Sequence, residues 1–327
     1  MRGCTSIFIL TFIPSLLASR YLYGPDFNGQ AAIVTLTPEE VSACPVTIPT
    51  LPIPDLDCTS MTMIEGSLVI CGGKRTGYTS KFCFRLVDGS VWEDFPALPQ
   101  TRSCAVSAWI NNGTQWWIAG GNEPESSSDY YRGTSVIYDL ASKTWLQGPE
   151  IPDKCRGSCL VPLDESKDKF MLLSGYYTLP IIGDRYNHHV YIYENGKWTE
   201  QEGESNYSYK RYPSSQTCNR LKNGNVLLTG GKPDGDHDEV WDAKYGFWSE
   251  YQDDLASPVW VWYPSSALDE EGNMYVVGGE APYNSELSGQ VLKFDGESWT
   301  IFNNVLPFPM SYTSITPLKE DDQMKCD

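Results

Sequence analysis

The chain is short of nearly everything that would announce a reaction. It has three histidines in 327 residues. His188 and His189 are adjacent, so on a strand they face opposite ways and cannot easily share a metal. His237 lies in KPDGDHDE, where Asp234, Asp236 and Asp238 alternate as the oxygen ligands of a calcium loop do. The downstream Glu of such a loop is missing, and the segment reads as a polar hairpin. There is no Gly-x-Ser-x-Gly elbow, and every acidic pair has an explanation as a surface turn. The expectation is a protein without metal or cofactor.

Positive charge is scarce too. Against 42 Asp and Glu stand 24 Lys and Arg, a net charge of −18, with no basic block. Such a surface repels phosphate backbones, which argues against nucleic acid as a partner. No segment reaches the roughly 18 apolar residues of a membrane span, so no stable membrane insertion is expected. The run IFILTFIPSLLA, residues 7–18, follows Arg2 and ends on the small residues Ala18 and Ser19. That is the pattern of an export signal over residues 1–19; an uncleaved anchor and a buried strand are the alternatives.

What is present is a turn-rich, aromatic chain with 28 Gly, 22 Pro and 13% aromatic residues, too aromatic for disorder. Ten cysteines suit an oxidising compartment, and nine remain once Cys4 leaves with the signal. An odd number leaves one thiol over. Two glycosylation sequons, NGT at Asn112 and NYS at Asn206, agree with a secreted, extracellular protein.

The organising feature is an apolar run that stops on glycine. SLVICGGK ends on Gly72 and Gly73, QWWIAGGN on Gly120 and Gly121, NVLLTGGK on Gly230 and Gly231, and MYVVGGE on Gly278 and Gly279. KFMLLSGY has Ser174 and Gly175 in the same place. The intervals are 48, 54, 56 and 48 residues. A tryptophan follows each pair: Trp92, Trp145, Trp198, Trp248 and Trp299. Before each lies a short strand ending in an acidic turn, and Arg102, Arg156 and Arg211 precede the next element. A period near 50 with several short strands per unit means a propeller or a solenoid.

These residues resemble the kelch repeat family, whose pattern is an apolar strand, a double glycine, an aromatic-acidic pair and a spaced tryptophan. The resemblance covers residues 30–318. Departures are Ser174 for a glycine, Trp241 and Phe294 for the usual Tyr, and Tyr263 where Arg is usual. It implies an all-β propeller of four-stranded antiparallel blades. Turn chemistry agrees, since Asn-Gly between apolar runs is a strong hairpin signal. The glycines then let the chain leave the second strand where blades crowd it, and each Trp is a wedge between sheets.

Five repeats occupy about 58–99, 102–152, 156–201, 211–251 and 261–309. The head, 28–54, fits the second half of a repeat, and the tail, 310–327, fits the first half, inner and second strands. Together they make a sixth blade that closes the ring, in a single domain over 28–327. Cys44 and Cys326 then share the closing blade, Cys71 and Cys83 sit on adjacent strands, and Cys58, Cys104 and Cys159 start inner strands. CRGSC reads as a structural Cys155–Cys159 disulfide.

Kelch propellers resemble the central domain of galactose oxidase, but its copper chemistry needs two well-placed histidines, and those here are badly placed. Recognition rises above background instead. Loops after the second and fourth strands emerge on one face and carry Tyr131, Arg132, Tyr177, Arg185, Arg211 and Trp262, the residue types of binding hot spots. The leading expectation is a non-enzymatic module that binds an extracellular protein or glycan there. The rival is an extracellular carbohydrate-active enzyme with a site at the axis.

Overall fold

All five apolar runs that end on the glycine positions form second strands of four-stranded antiparallel sheets in a computed structural model. It describes residues 18–25, 29–37, 39–122, 133–152, 159–173, 176–179, 183–186, 189–201, 212–232, 238–250, 261–281, 286–311, 314–320, 322 and 324–327. Blade I is Ser60–Ile64, Ser67–Cys71, Cys83–Val87 and Val91–Phe95. Blade II is Val106–Ile110, Gln115–Ala119, Ser135–Asp139 and Thr144–Gln147. Blade III is Cys159–Pro162, Phe170–Leu173, Val190–Glu194 and Lys197–Glu200. Blade IV is Tyr212–Arg220, Val226–Lys232, Glu239–Trp241 and Trp248–Glu250. Blade V is Ser265–Leu268, Met274–Val277, Val291–Phe294 and Trp299–Phe302. With the closing blade they make a six-bladed β-propeller.

Second strands are apolar at most positions because both their faces are covered. Side chains alternate across a strand. Leu68 and Ile70 therefore pack against the closing blade, while Val69 and Cys71 pack against blade II. Trp116 and Ile118 turn to blade I, and Trp117 and Ala119 to blade III. The same alternation gives six hydrophobic clusters, one at each junction between neighbouring blades. Polar bonds tie inner strands together: Trp109 donates to Thr62 at 2.8 Å and Asn219 to Ser266 at 2.7 Å.

The double glycines are part of this junction. The second glycine sends its N–H into the next blade, from Gly73 to the Arg102 carbonyl (2.9 Å), Gly231 to Val261 (3.1 Å) and Gly279 to Met310 (2.9 Å). The first, Gly72, has φ +71°, and a β-carbon there would collide with the Arg102 carbonyl. Only glycine supplies that conformation with no side chain to clash.

Each tryptophan leans on the preceding blade. Trp92 and Trp145 donate to the carbonyls of Pro49 and Pro96, both at 2.6 Å. Trp248 lies in the cluster shared with blade III and is 9% exposed, whereas Trp145 is half-buried. Trp248→Ala should therefore cost about 3–5 kcal/mol, the scale of an emptied aromatic core site. Trp145→Ala should cost less, by its solvent-facing part. Urea midpoints check both, and a Trp248→Ala loss below about 1 kcal/mol, the surface scale, would deny the wedge role.

The closing blade corrects the sequence reading. Its order is Ile315–Leu318, Ser19–Tyr23, Gln30–Leu36, Val41–Thr47. Residues 31–36 do share a sheet with the tail, but the tail supplies one strand, not two, and the propeller starts at Ser19 rather than 28. The reason is apolar content. Beyond Leu318 the chain reads KEDDQ, while Ser19–Tyr23 brings Leu22 and Tyr23, both fully buried. The tail instead crosses to the outer strand, where Asp327 accepts from the Thr47 hydroxyl at 2.8 Å and Cys326 is bonded to Cys44.

Cys71 is bonded to Cys83. Cys58–Cys104 joins the segments just ahead of the inner strands of blades I and II, and Cys159–Cys218 joins the inner strands of blades III and IV. The expected Cys155–Cys159 bond is thereby overturned, because Cys159 is bonded across a junction to the inner strand of the next blade. Cys155 lies outside the described residues. No helix among the described residues is long and apolar enough to cross a membrane.

Candidate ligand-binding face

Strands alternate in direction, so loops after second strands and crossovers between blades leave at one end of the ring. Two of the second-strand loops fold into ribbons. In blade I, Lys74–Arg75 pairs with Tyr78–Thr79, and in blade III, Tyr176–Leu179 pairs with Gly183–Tyr186. In the first, Arg75 is directly opposite Tyr78; in the second, Tyr177 is directly opposite Arg185. Arg75 lies over the Tyr78 ring at 5.4 Å, a cation–π distance. Lys81 beside it is exposed, and Phe82 is 45% exposed.

This blade I patch was not among the sequence candidates. Its signal was the segment KRTGYTSKF: a tight Thr-Gly turn, with Gly77 at φ +70°, flanked by basic and aromatic residues. Charge around the face is uneven. Blade V contributes Glu280 and Glu286 on the same end, with Leu287 exposed between polar neighbours.

The six sequence candidates fare differently. Tyr177 and Arg185 are brought together. Tyr131, Arg132 and Arg211 lie outside the described residues, as do Gly175, Asn206, His188 and His237. Trp262 is half-buried at the base of the blade V loop, exchanging backbone hydrogen bonds with Glu280 at 2.9 and 2.8 Å. It stands two blades from the Tyr177–Arg185 pair.

Ser103 bridges Asn122, Tyr212 pairs with Lys232, and Trp262 bridges Glu280, each partner being the residue after a double glycine. Arg102 and Val261 therefore occupy equivalent positions in blades II and V, so Val261, rather than Tyr263, stands where blade II has its arginine. Arg102 is 2% exposed. Its guanidinium donates to the carbonyls of Gly120 and Thr134 and, at 3.1 Å, to the Thr134 hydroxyl. It holds the ends of two strands of blade II together, which is a structural task.

Among the described residues no three His, Cys, Asp or Glu side chains converge as metal ligands. His189 contacts the Glu200 carboxylate through its ring Nδ1 at the outer edge of blade III. At the seam with the closing blade, the single hydroxyl proton of Tyr275 is shared between Asp269 at 3.1 Å and the Thr37 carbonyl at 3.0 Å. Burial, with the Asp269 charge, pushes its phenol far above the usual range, so it stays a donor. No model of a known protein family matches the chain, and no curated protein matches it.

Proposed function

We propose that this propeller is a secreted, non-enzymatic binding module of the kelch type, and that its loop face takes an acidic extracellular protein or an acidic glycan. The observation that supports this reading is the pair of ribbons, in each of which the register puts an Arg directly opposite a Tyr. Tyr and Arg contribute large contact area and directional donors. On a molecule of net charge −18, the basic residues Arg75 and Lys81 of this blade I loop favour a partner of opposite sign. Four disulfides fit an oxidising compartment.

The test is capture on arrays of acidic peptides and of sulfated, sialylated and neutral glycans, comparing wild type with a combined Arg75→Ala and Tyr78→Ala variant. Affinity should fall about tenfold or more, as for hot-spot residues, with stability changed by less than about 0.5 kcal/mol. Binding that survives the ribbon variant and is lost on Asn223→Ala or Glu271→Ala, in turns at the other end, would place the ligand there instead.

A further inference from the structure

The turn face, at the opposite end from the ribbons, holds a cleft of about 450 Å³ between blades II and III. That volume is within the usual range of small-ligand sites. Buried Phe170 and half-buried Tyr193 line it with Asn111, Asp168, Glu194 and Asn195, together with Lys167 and with Lys169, which pairs with Glu194 at 3.5 Å. Amides and carboxylates beside aromatic side chains suit a sugar ring. Its hydroxyls find planar hydrogen-bonding partners, and its C–H face lies on the ring.

One sugar is positioned by the chain itself. The sequon Asn112-Gly113-Thr114 is at the edge of this cleft, next to the lining residue Asn111. Asn112 donates its backbone N–H to the Ser166 carbonyl at 3.2 Å, in the blade III turn that also carries Asp168. Asn112 is exposed, and a β-carbon added at Gly113 would meet nothing within 4 Å, so the sequon stands in open space.

We propose that Asn112 carries an N-linked glycan whose first N-acetylglucosamine residues fold back into the cleft between blades II and III. The transfer joins Asn112 Nδ2 to the anomeric carbon of a lipid-pyrophosphate-linked oligosaccharide; the lipid pyrophosphate leaves and the amide proton is lost to solvent. The inference rests on the reading that the chain is exported. It adds that the glycan covers one blade junction on the turn face and leaves the ribbon face clear.

Secreted protein should show Asn112 occupied by peptide mass spectrometry. Release of that glycan from the native protein by a peptide N-glycanase should be slow, because cleavage needs the sugar out of the cleft. Asp168→Ala with Glu194→Ala should speed native release about tenfold, the scale of losing one or two hydrogen bonds, while leaving release from denatured protein unchanged. A secreted protein with bare Asn112, or a native release rate that the double variant does not move, would overturn this inference and leave export standing. A chain found only in the cytosol with bare Asn112 would overturn both.

Discussion

Gly278→Ala should destabilise the propeller by about 2–6 kcal/mol, combining a left-handed backbone strain of about 1–3 with an overpacking cost of about 1–3. Gly278 has φ +66°, and an added β-carbon would collide with the Tyr23 hydroxyl and sit 2.7 Å from the Met310 carbonyl. That carbonyl is where the ring is sealed. It accepts the Tyr23 hydroxyl at 2.6 Å and the Gly279 N–H at 2.9 Å. The amino-terminal strand, blade V and the approach to the last strand therefore meet at one oxygen, and a methyl group drives them apart. Gly77→Ala is the control. Its φ is +70°, yet nothing lies within 4 Å, so only the backbone cost of about 1–2 kcal/mol should appear. Urea denaturation of both variants gives the comparison. Equal losses would mean that the closing junction is loose enough to absorb a side chain.

The periodic part of this architecture was legible because it has to repeat. A second strand covered on both faces is apolar at most positions, and a sharp exit under a neighbouring carbonyl favours glycine. Those demands recur about every 50 residues and leave a visible pattern. The closing blade was less legible because its second strand has no such mark. SRYLY runs to a single Gly24 and abuts the apolar leader-like segment, so its buried Leu22 and Tyr23 blend with what precedes them. Disulfide partners were hidden for another reason. Cys58 with Cys104, and Cys159 with Cys218, are 46 and 59 residues apart and meet only because successive inner strands are ring neighbours. On the candidate face, residue type pointed to Tyr177 and Arg185, and pairing them needed the ribbon register. Arg102 carried the same composition signal, but its guanidinium is spent on backbone carbonyls. An arginine beside a repeat boundary is ambiguous until register says which carbonyls it can reach.

The largest effect should come from the amino-terminal strand. Two versions are compared behind the same heterologous cleavable leader, one beginning at Ser19 and one at Asn28. The first should be secreted and fold cooperatively; the second should be retained or aggregate. Ser19–Tyr23 is not an edge strand but sits between Ile315–Leu318 and Gln30–Leu36, pairing with both. Leu22 and Tyr23 are fully buried, and burying such side chains is worth about 1.5–3 kcal/mol each. Tyr21 also donates to the Leu268 carbonyl, so the strand reaches into blade V as well as its own sheet. Without it, two strands face each other across a gap with unpaired N–H and C=O groups, the arrangement that recruits other chains. The sum of these losses rivals a whole domain's stability of about 5–15 kcal/mol. The Cys44–Cys326 bond does not substitute, because it ties the tail to the outer strand rather than filling the gap. A synthetic peptide of residues 19–27 added during refolding should restore part of the folded yield of the shorter version, since it supplies the missing strand in trans. Secretion of the Asn28 version with an unchanged melting temperature would show that the ring closes without residues 19–23 and would overturn the strand order of the closing blade.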